Sequence, residues 1–290
     1  MKIAIFGNAY QHKSLPYVNN LLQELLKQGV EVMIERSFHD FLCSNSLSAL
    51  HAVSTFDSHS MLDADMVFSI GGDGTFLRTA HVAARHDLPI MGFNAGHLGY
   101  LATATIEEAC GVVNRVLERD YFIENRTMLA LGLESGVEPR HRHALNEIAI
   151  LRQDTSSMIE VEVNVGNTPL TTYKGDGLLV CTPTGSTAYN LSVGGPVLEP
   201  LTQCVVLSPI SPHSLTMRPV VIRDSHHLTI TTRSRASLYQ VSVDGETANL
   251  PSGTTLHIGK APFCAHVVQL NGHDFASTLR SKLMWGKDNR

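Results

Sequence analysis

The sequence predicts a chain in two parts: an N-terminal α/β domain on a parallel sheet, then a mainly antiparallel, β-sandwich-like domain. Three observations predict it. Up to about residue 120, short apolar runs alternate with stretches of helical spacing. Beyond about residue 121 the runs are short, β-branched and separated by Gly, Pro, Asn and Asp. No internal repeat or low-complexity linker interrupts the chain, so the boundary rests on the change of period alone. The expected domains are therefore 1–120 and 121–270, with a separate C-terminal segment at 271–290.

The elements follow in order. "KIAIFG" is a first strand. Val18, Leu21, Leu22, Leu25 and Leu26 then recur at helical spacing, and Gly29 stands where a C-terminal cap belongs. "VEVMIE" is a second strand. Residues 37–62, rich in Ser and His, carry only weak helical patterning. "ADMVFSI" is an apolar strand leading into a helix from about Thr75 to Arg85, followed by the strand "LPIMGFN". Thr105-Ile106-Glu107-Glu108 is a capping box for a helix running to about Glu118. Strands separated by helices imply parallel pairing with crossover helices. In the second part "TMLALGLES", "ALNEIAILR", "MIEVEVNVG", "LLVCTP", "CVVLSPI", "PVVIRD", "HLTITTRS", "LYQVSVDG" and "TLHIG" read as strands, and Asp244-Gly245 is a strong hairpin signal.

Bulk properties narrow the function. The 290 residues are 43% hydrophobic, enough for a sizeable core. The net charge of −5 argues against a general nucleic-acid binder or a binder of anionic membranes, but leaves room for a local basic pocket. Cys43, Cys110, Cys181, Cys204 and Cys264 are odd in number, widely spaced and without a C-x-x-C pair. They read as buried thiols of a reducing cytosol rather than a disulfide or zinc framework. The N-terminus reads as a strand rather than a signal peptide, and no apolar run is as long as a membrane span. The expected location is cytoplasmic.

Three constellations carry chemistry. Ile70-Gly71-Gly72-Asp73-Gly74-Thr75-Phe76-Leu77 closes a strand and opens a helix, where ligands collect on parallel sheets. Its glycines allow close approach to phosphate, and the helix start attracts anions. An acid beside phosphate suggests a group that accepts a proton or holds a metal; the plainer alternative is a tight turn with Asp73 capping the helix. The motif is neither a Walker A loop nor G-x-G-x-x-G. The second constellation is Gly175-Asp176-Gly177 through Pro183-Thr184-Gly185-Ser186-Thr187-Ala188-Tyr189-Asn190-Leu191-Ser192, then Gly194-Gly195-Pro196. So many hydrogen-bonding groups, with glycines and one aromatic ring, suggest a polar wall with a stacking face for a nucleotide; the alternative is a solvated turn. The third is Asn146-Glu147, where strand alternation would turn one of the pair inward. His226-His227 and His141-x-His143 lack a third ligand at plausible spacing and read as surface residues.

"GGDGT", the "NE" pair, "GDGLLVCTPTGSTAYNLSVGGP" and "SPISPHSLTMRPVVI" resemble, in order and spacing, the motifs of the NAD kinase family, and "LRSKLMWG" is similar to its C-terminal segment. The first motif is shared with diacylglycerol, sphingosine and 6-phosphofructokinases; the long second one is specific. The resemblance implies ATP-dependent phosphorylation of the adenosine 2′-hydroxyl of NAD, with Mg²⁺ arriving with ATP and no dedicated metal ligands. It also implies an α/β and a β-rich domain with the nucleotide between them, a final segment returning to the first domain, and a homodimer or homotetramer. By position it makes Asp73 the catalytic proton acceptor, with Gly74 beside it. It places Asn146, Glu147, Asp176, Thr187, Ala188, Tyr189, Asn190, Leu191 and Ser192 against the dinucleotide. Arg78 and Lys174 match positions near phosphate or nucleotide, although Arg78 also fits a solvated helix residue. Glu246 stands where many members have Gln, which removes an amide donor. A lipid or sugar kinase sharing the glycine-aspartate loop and a non-catalytic NAD(P)-sensing module stay open as alternatives.

Overall fold

The computed structural model describes residues 1–10, 12–57, 61–96, 99–133, 142–153 and 157–286. The chain divides into two compact units, Met1–Asn125 with Ala265–Arg290, and Arg126–Cys264.

The first unit opens with β1 (Lys2–Gly7), α1 (Leu15–Lys27), β2 (Glu31–Glu35), α2 (Arg36–Ser44), β3 (Ser54–Phe56) and β4 (Met66–Gly71). It continues with α3 (Asp73–Arg85), β5 (Pro89–Asn94), β6 (Ala104–Thr105), α4 (Ala109–Leu117) and the start of β7 (Tyr121–Leu133). The helical period of α1 buries Val18, Leu21, Leu22 and Leu25 on one stripe. Gly29, at φ 71°, takes the left-handed turn that ends it. The weakly patterned region 37–62 holds α2, whose buried residues are Phe38 and Leu42, and the short β3. Strands β5, β4, β1, β2 and β3 lie side by side, all parallel. The chain therefore builds outward from β1 in one direction and from β4 in the other. The β1–β4 junction is the switch point of the sheet, where ligands bind beyond the strand ends. Gly71-Gly72-Asp73-Gly74 leaves β4 there, and Asn8 N–H, just past β1, donates to Ile70 O at 3.1 Å.

The second unit takes the rest of β7, then β8 (His143–Ala144), β9 (Glu147–Arg152), β10 (Ile159–Val165), β11 (Thr168–Gly175) and β12 (Gly177–Cys181). After the short α5 (Tyr189–Ser192) come β13 (Cys204–Ile210), β14 (Val220–Arg223), β15 (Leu228–Arg233), β16 (Leu238–Val243), β17 (Glu246–Pro251) and β18 (Thr255–Leu270). One sheet runs β14-β13-β12-β9-β16-β17, antiparallel throughout. In the other, β11, β10, β15 and β18 are antiparallel neighbours. Ile148, Val180 and Val241 from the first sheet share one buried cluster with Val161, Ile230 and Leu256 from the second. That shared core is what a β-sandwich requires.

The tail returns to the first unit. Strand β18 pairs in parallel with β5 at His266↔Pro89 and Val267↔Ile90, and Val268 enters the first unit's core. The chain then forms α6 (Phe275–Lys282), capped by Asp274, whose carboxylate accepts from Ser277 N–H.

The expected capping box forms, with Thr105 N–H donating to Glu108 Oε2 at 2.9 Å. Three expectations need correction. Helix α3 starts at Asp73 rather than Thr75, because Gly72, in extended conformation, serves as the residue before the helix. The cysteines are all free, but only Cys181 and Cys204 are buried; Cys110 and Cys264 are half-buried and Cys43 is exposed on α2. His226 and His227 are exposed as expected, but His143 is half-buried, its ring 4.7 Å from that of Phe263, while His141 lies outside the described residues.

Candidate active site

The glycine-aspartate loop positions a carboxylate with no room to spare. Asp73 is the first residue of α3, yet it does not cap that helix. Its Oδ2 accepts the N–H of Tyr100 at 2.9 Å, and its Oδ1 accepts the N–H of Leu101 at 3.0 Å. A Cβ placed on Gly99 would meet Asp73 Oδ1 at 2.4 Å, so only glycine lets this backbone approach the carboxylate. Each oxygen keeps a further lone pair. Gly74 is exposed beside it. Arg78, at the next turn of α3, donates to Glu35 Oε1 at 3.1 Å and to Gly7 O at 2.9 Å. Its guanidinium is therefore tied to the ends of β1 and β2 while remaining half-exposed, and Glu35, itself buried, keeps Oε2 without a partner.

In the second unit the Asn146-Glu147 pair is held by a residue that the sequence marks only as a turn. Asp244 and Gly245, at φ 48° and 89°, form the two-residue hairpin between β16 and β17. The Asp244 carboxylate accepts three successive backbone N–H groups: Leu145 at 2.7 Å, Asn146 at 2.8 Å and Glu147 at 3.0 Å. Asn146 is buried and Glu147 half-buried, and Asn146 Oδ1 and Glu147 Oε2 are buried without a partner. Burial pushes the Glu147 carboxyl up to about 7, with the Asp244 carboxylate adding to the effect.

The polar loop packs directly on this pair. Thr182 N–H donates to Asn146 O at 2.8 Å, and Thr182 Oγ1 donates to Leu145 O. A Cβ on Gly185 would fall 2.3 Å from Asn146 O, so the loop needs glycine there. Thr184 Oγ1 is buried without a partner too. Tyr189 is 40% exposed, which leaves a ring face open for stacking, and Leu191 and Ser192 are exposed next to it. Thr187 and Ala188 are half-buried.

Asn190, expected against a dinucleotide, is bound within the protein. It is fully buried and its amide is already engaged. Oδ1 accepts from Ser208 Oγ at 2.6 Å, while Nδ2 donates to Pro196 O at 3.0 Å and Ser186 O at 3.3 Å. It anchors the loop from beneath. Asp176 pairs with Arg152 at 3.0 Å, Lys174 pairs with Glu160 at 2.7 Å, and Glu246 is exposed at the start of β17. Sequence reasoning missed Asp244 as a site residue, together with the N–H groups of Tyr100 and Leu101. The Gly-Tyr dipeptide at 99–100, shortly after a parallel strand, was the available signal for the last two.

Comparison with known proteins fits this geometry. Residues 3–121 match the model of the ATP-NAD kinase N-terminal domain, and residues 145–270 match that of the ATP-NAD kinase C-terminal domain. An NAD kinase of Bacteroides fragilis is 43% identical over 290 residues, covering 100% of both chains. One of Flavobacterium psychrophilum is 40% identical over 294 residues, again covering 100% of both. The crystal structure of yeast NADH kinase complexed with NADH superposes with a TM-score of 0.89 at 24% identity, covering 100% of this chain and 89% of that one. An NAD kinase from Archaeoglobus fulgidus in complex with ATP gives 0.73 at 24% identity, covering 97% and 99%. At that identity the two structures speak for the fold. An α/β unit with a glycine-aspartate loop at its switch point, joined to this β-sandwich, defines a two-domain kinase. The chain belongs to the ATP-NAD kinase family.

Proposed function

We propose that the chain transfers the γ-phosphoryl group of ATP, bound as its magnesium complex, to the adenosine 2′-hydroxyl of NAD, giving NADP and ADP. One observation carries the reading. Asn146 Oδ1, Glu147 Oε2 and Thr184 Oγ1 are buried and unpartnered within two motifs that pack on each other. Orphaned buried polar atoms cost free energy unless a ligand pairs them, and a ribose with its base supplies the matching donors and acceptors. Family membership selects the dinucleotide among such ligands.

Asp73 acts as proton acceptor. A ribose hydroxyl is a weak nucleophile, and a carboxylate fixed by two N–H groups takes its proton as the oxygen–phosphorus bond forms and the bond to ADP breaks. Glu147 and Asn146 orient the sugar and adenine, and Tyr189 stacks on the base. Asp176, Lys174 and Arg78 contribute charge near the nucleotide. Among the described residues no three His, Cys, Asp or Glu side chains converge as a metal site. A cation carried in on ATP would neutralise charge on the transferred group.

The working form is a homodimer or homotetramer in the cytoplasm, as the family resemblance suggests. Among the described residues no helix is long and apolar enough to cross a membrane. The test is purified protein with ATP, Mg²⁺ and NAD, followed by an NADP-specific dehydrogenase. Steady NADP formation is expected. Phosphorylation of a lipid or sugar instead, or binding of NAD without turnover, would replace this reading, and light scattering reports the assembly.

A further inference from the structure

We propose that Lys282, on the C-terminal helix α6, is a positioning residue for phosphoryl transfer, holding the backbone strap that orients the Asp73 carboxylate. The proposal rests on the reading of Asp73 as proton acceptor. The Lys282 ammonium donates to Tyr100 O at 3.0 Å and to Ala102 O at 2.6 Å, and it sits 5.8 Å from the centre of the Tyr100 ring. On its other side the same strap donates Tyr100 N–H and Leu101 N–H to Asp73.

The carbonyl of Tyr100 and the N–H of Leu101 belong to one amide. Among the described residues no peptide bond is cis, so the two groups point in opposite directions. That amide lies between a cation and an anion with its dipole aligned to both: oxygen toward Lys282, hydrogen toward Asp73. Bonds in such a chain polarise and strengthen one another. The far end of the strap is fixed independently. Thr103 N–H donates to Gly92 O at 2.9 Å, and Thr103 Oγ1 donates to Val268 O at 2.7 Å. Leu101 and Ala102 are buried against the unit. Lys282 thus acts on the segment between the Gly99 contact and that anchor, where a small displacement moves the carboxylate.

A purely structural tether would make the same bonds, so the test must separate the two roles. Lys282→Met keeps the apolar stem and removes the charge and donors. Expected is a fall in kcat of roughly 10- to 100-fold, with KM for NAD and ATP within about twofold of the parent. Lys282→Arg, which can donate to both carbonyls, should recover most of the turnover. In an Asp73→Asn background, adding Lys282→Met should cost little more, because the two act through one strap. Unchanged kcat in Lys282→Met, a loss confined to KM, or a full additive loss beside Asp73→Asn each overturns the proposal while leaving the Asp73 reading intact. Near-normal turnover of Asp73→Asn alone instead sinks that reading, and the proposal with it. Should Lys282→Met fail to fold, Lys282→Gln, which keeps two N–H donors without the charge, carries the test, and parental kcat in that variant overturns it.

Discussion

At the residue scale, carboxylates do three different jobs here, and their surroundings decide which. Asp244 is saturated with backbone N–H groups and serves as a frame. Asp73 is held by two N–H groups and keeps a further lone pair on each oxygen, as the proposed proton acceptor requires. Glu147 has one oxygen buried without a partner and a neighbouring negative charge, so it resists ionising. Its carboxyl is pushed from 4.5 up to about 7 by burial and then by Asp244. Between those two values the folded chain keeps a proton that the unfolded chain has released. The stability this gives is complete below about pH 4.5 and is lost as pH rises through about 7, a difference on the order of 3 kcal/mol. Glu147→Gln mimics the protonated form at every pH. Without ligand, the parent should therefore match the variant in thermal unfolding near pH 4 and fall behind it at pH 8; parallel curves would show that the buried oxygen is better solvated than its surroundings imply. For Asp73→Asn, turnover should drop by roughly 10²-fold or more with NAD affinity little changed. Asn would also turn an NH₂ toward one of the two strap N–H groups, so the assay is paired with a melting curve. The sequence marks Asp73 and Glu147 by their motifs. It hides Asp244, whose partners lie 97 to 99 positions away and carry no local pattern.

At the element scale, the polar loop after β12 is built on one buried amide. Asn190 receives Ser208 Oγ and donates to the carbonyls of Ser186 and Pro196, which staples both ends of the loop to β13. Gly195 passes so close that a Cβ would lie 2.1 Å from Asn190 Oδ1. Asn190→Ala removes three bonds and strands their buried partners, at roughly 1–3 kcal/mol for each group left unsatisfied. Chemical denaturation should register a loss of a few kcal/mol, and KM for NAD should rise as Tyr189 loses its support. A variant with parental stability would mean that water replaces the amide. Elements with strong periods, such as α1 and the sandwich strands, were legible because burial of one face dictates the pattern. The region around α2 was not, since nine residues bury only Phe38 and Leu42. The motif loop was legible as a polar cluster, but not in the division of labour within it. A sequence does not tell which amide faces a ligand and which faces a strand.

At the scale of the whole molecule, the first unit is discontinuous: residues after Ala265 complete what the first 125 begin. A change of hydrophobic period marks one place in a chain but carries no sign that a later segment comes back; the expectation of a returning tail came from family resemblance. The physical reason for the return lies at the edge of β5. Without the tail, β5 loses its parallel neighbour at Pro89 and Ile90, and the core loses Val268. Thr103 also loses its acceptor on Val268, and Arg115 loses Asn271 O, to which it donates at 2.8 Å. An open, apolar strand edge is a template for aggregation. Residues 1–125 alone should therefore unfold without a cooperative transition or aggregate. The missing piece can be restored without the second unit, because His266 Nδ1 and Asn125 Oδ1 are 2.7 Å apart, so the two cut ends are neighbours. Joining Asn125 to Ala265 through a few Gly and Ser residues costs little loop entropy. The joined chain should show a sigmoidal urea transition, with a slope fitting a unit of its size. A cooperative transition at the same midpoint for residues 1–125 alone would show that the sheet is closed without β18, and that the tail serves the loop around Asp73 rather than the fold.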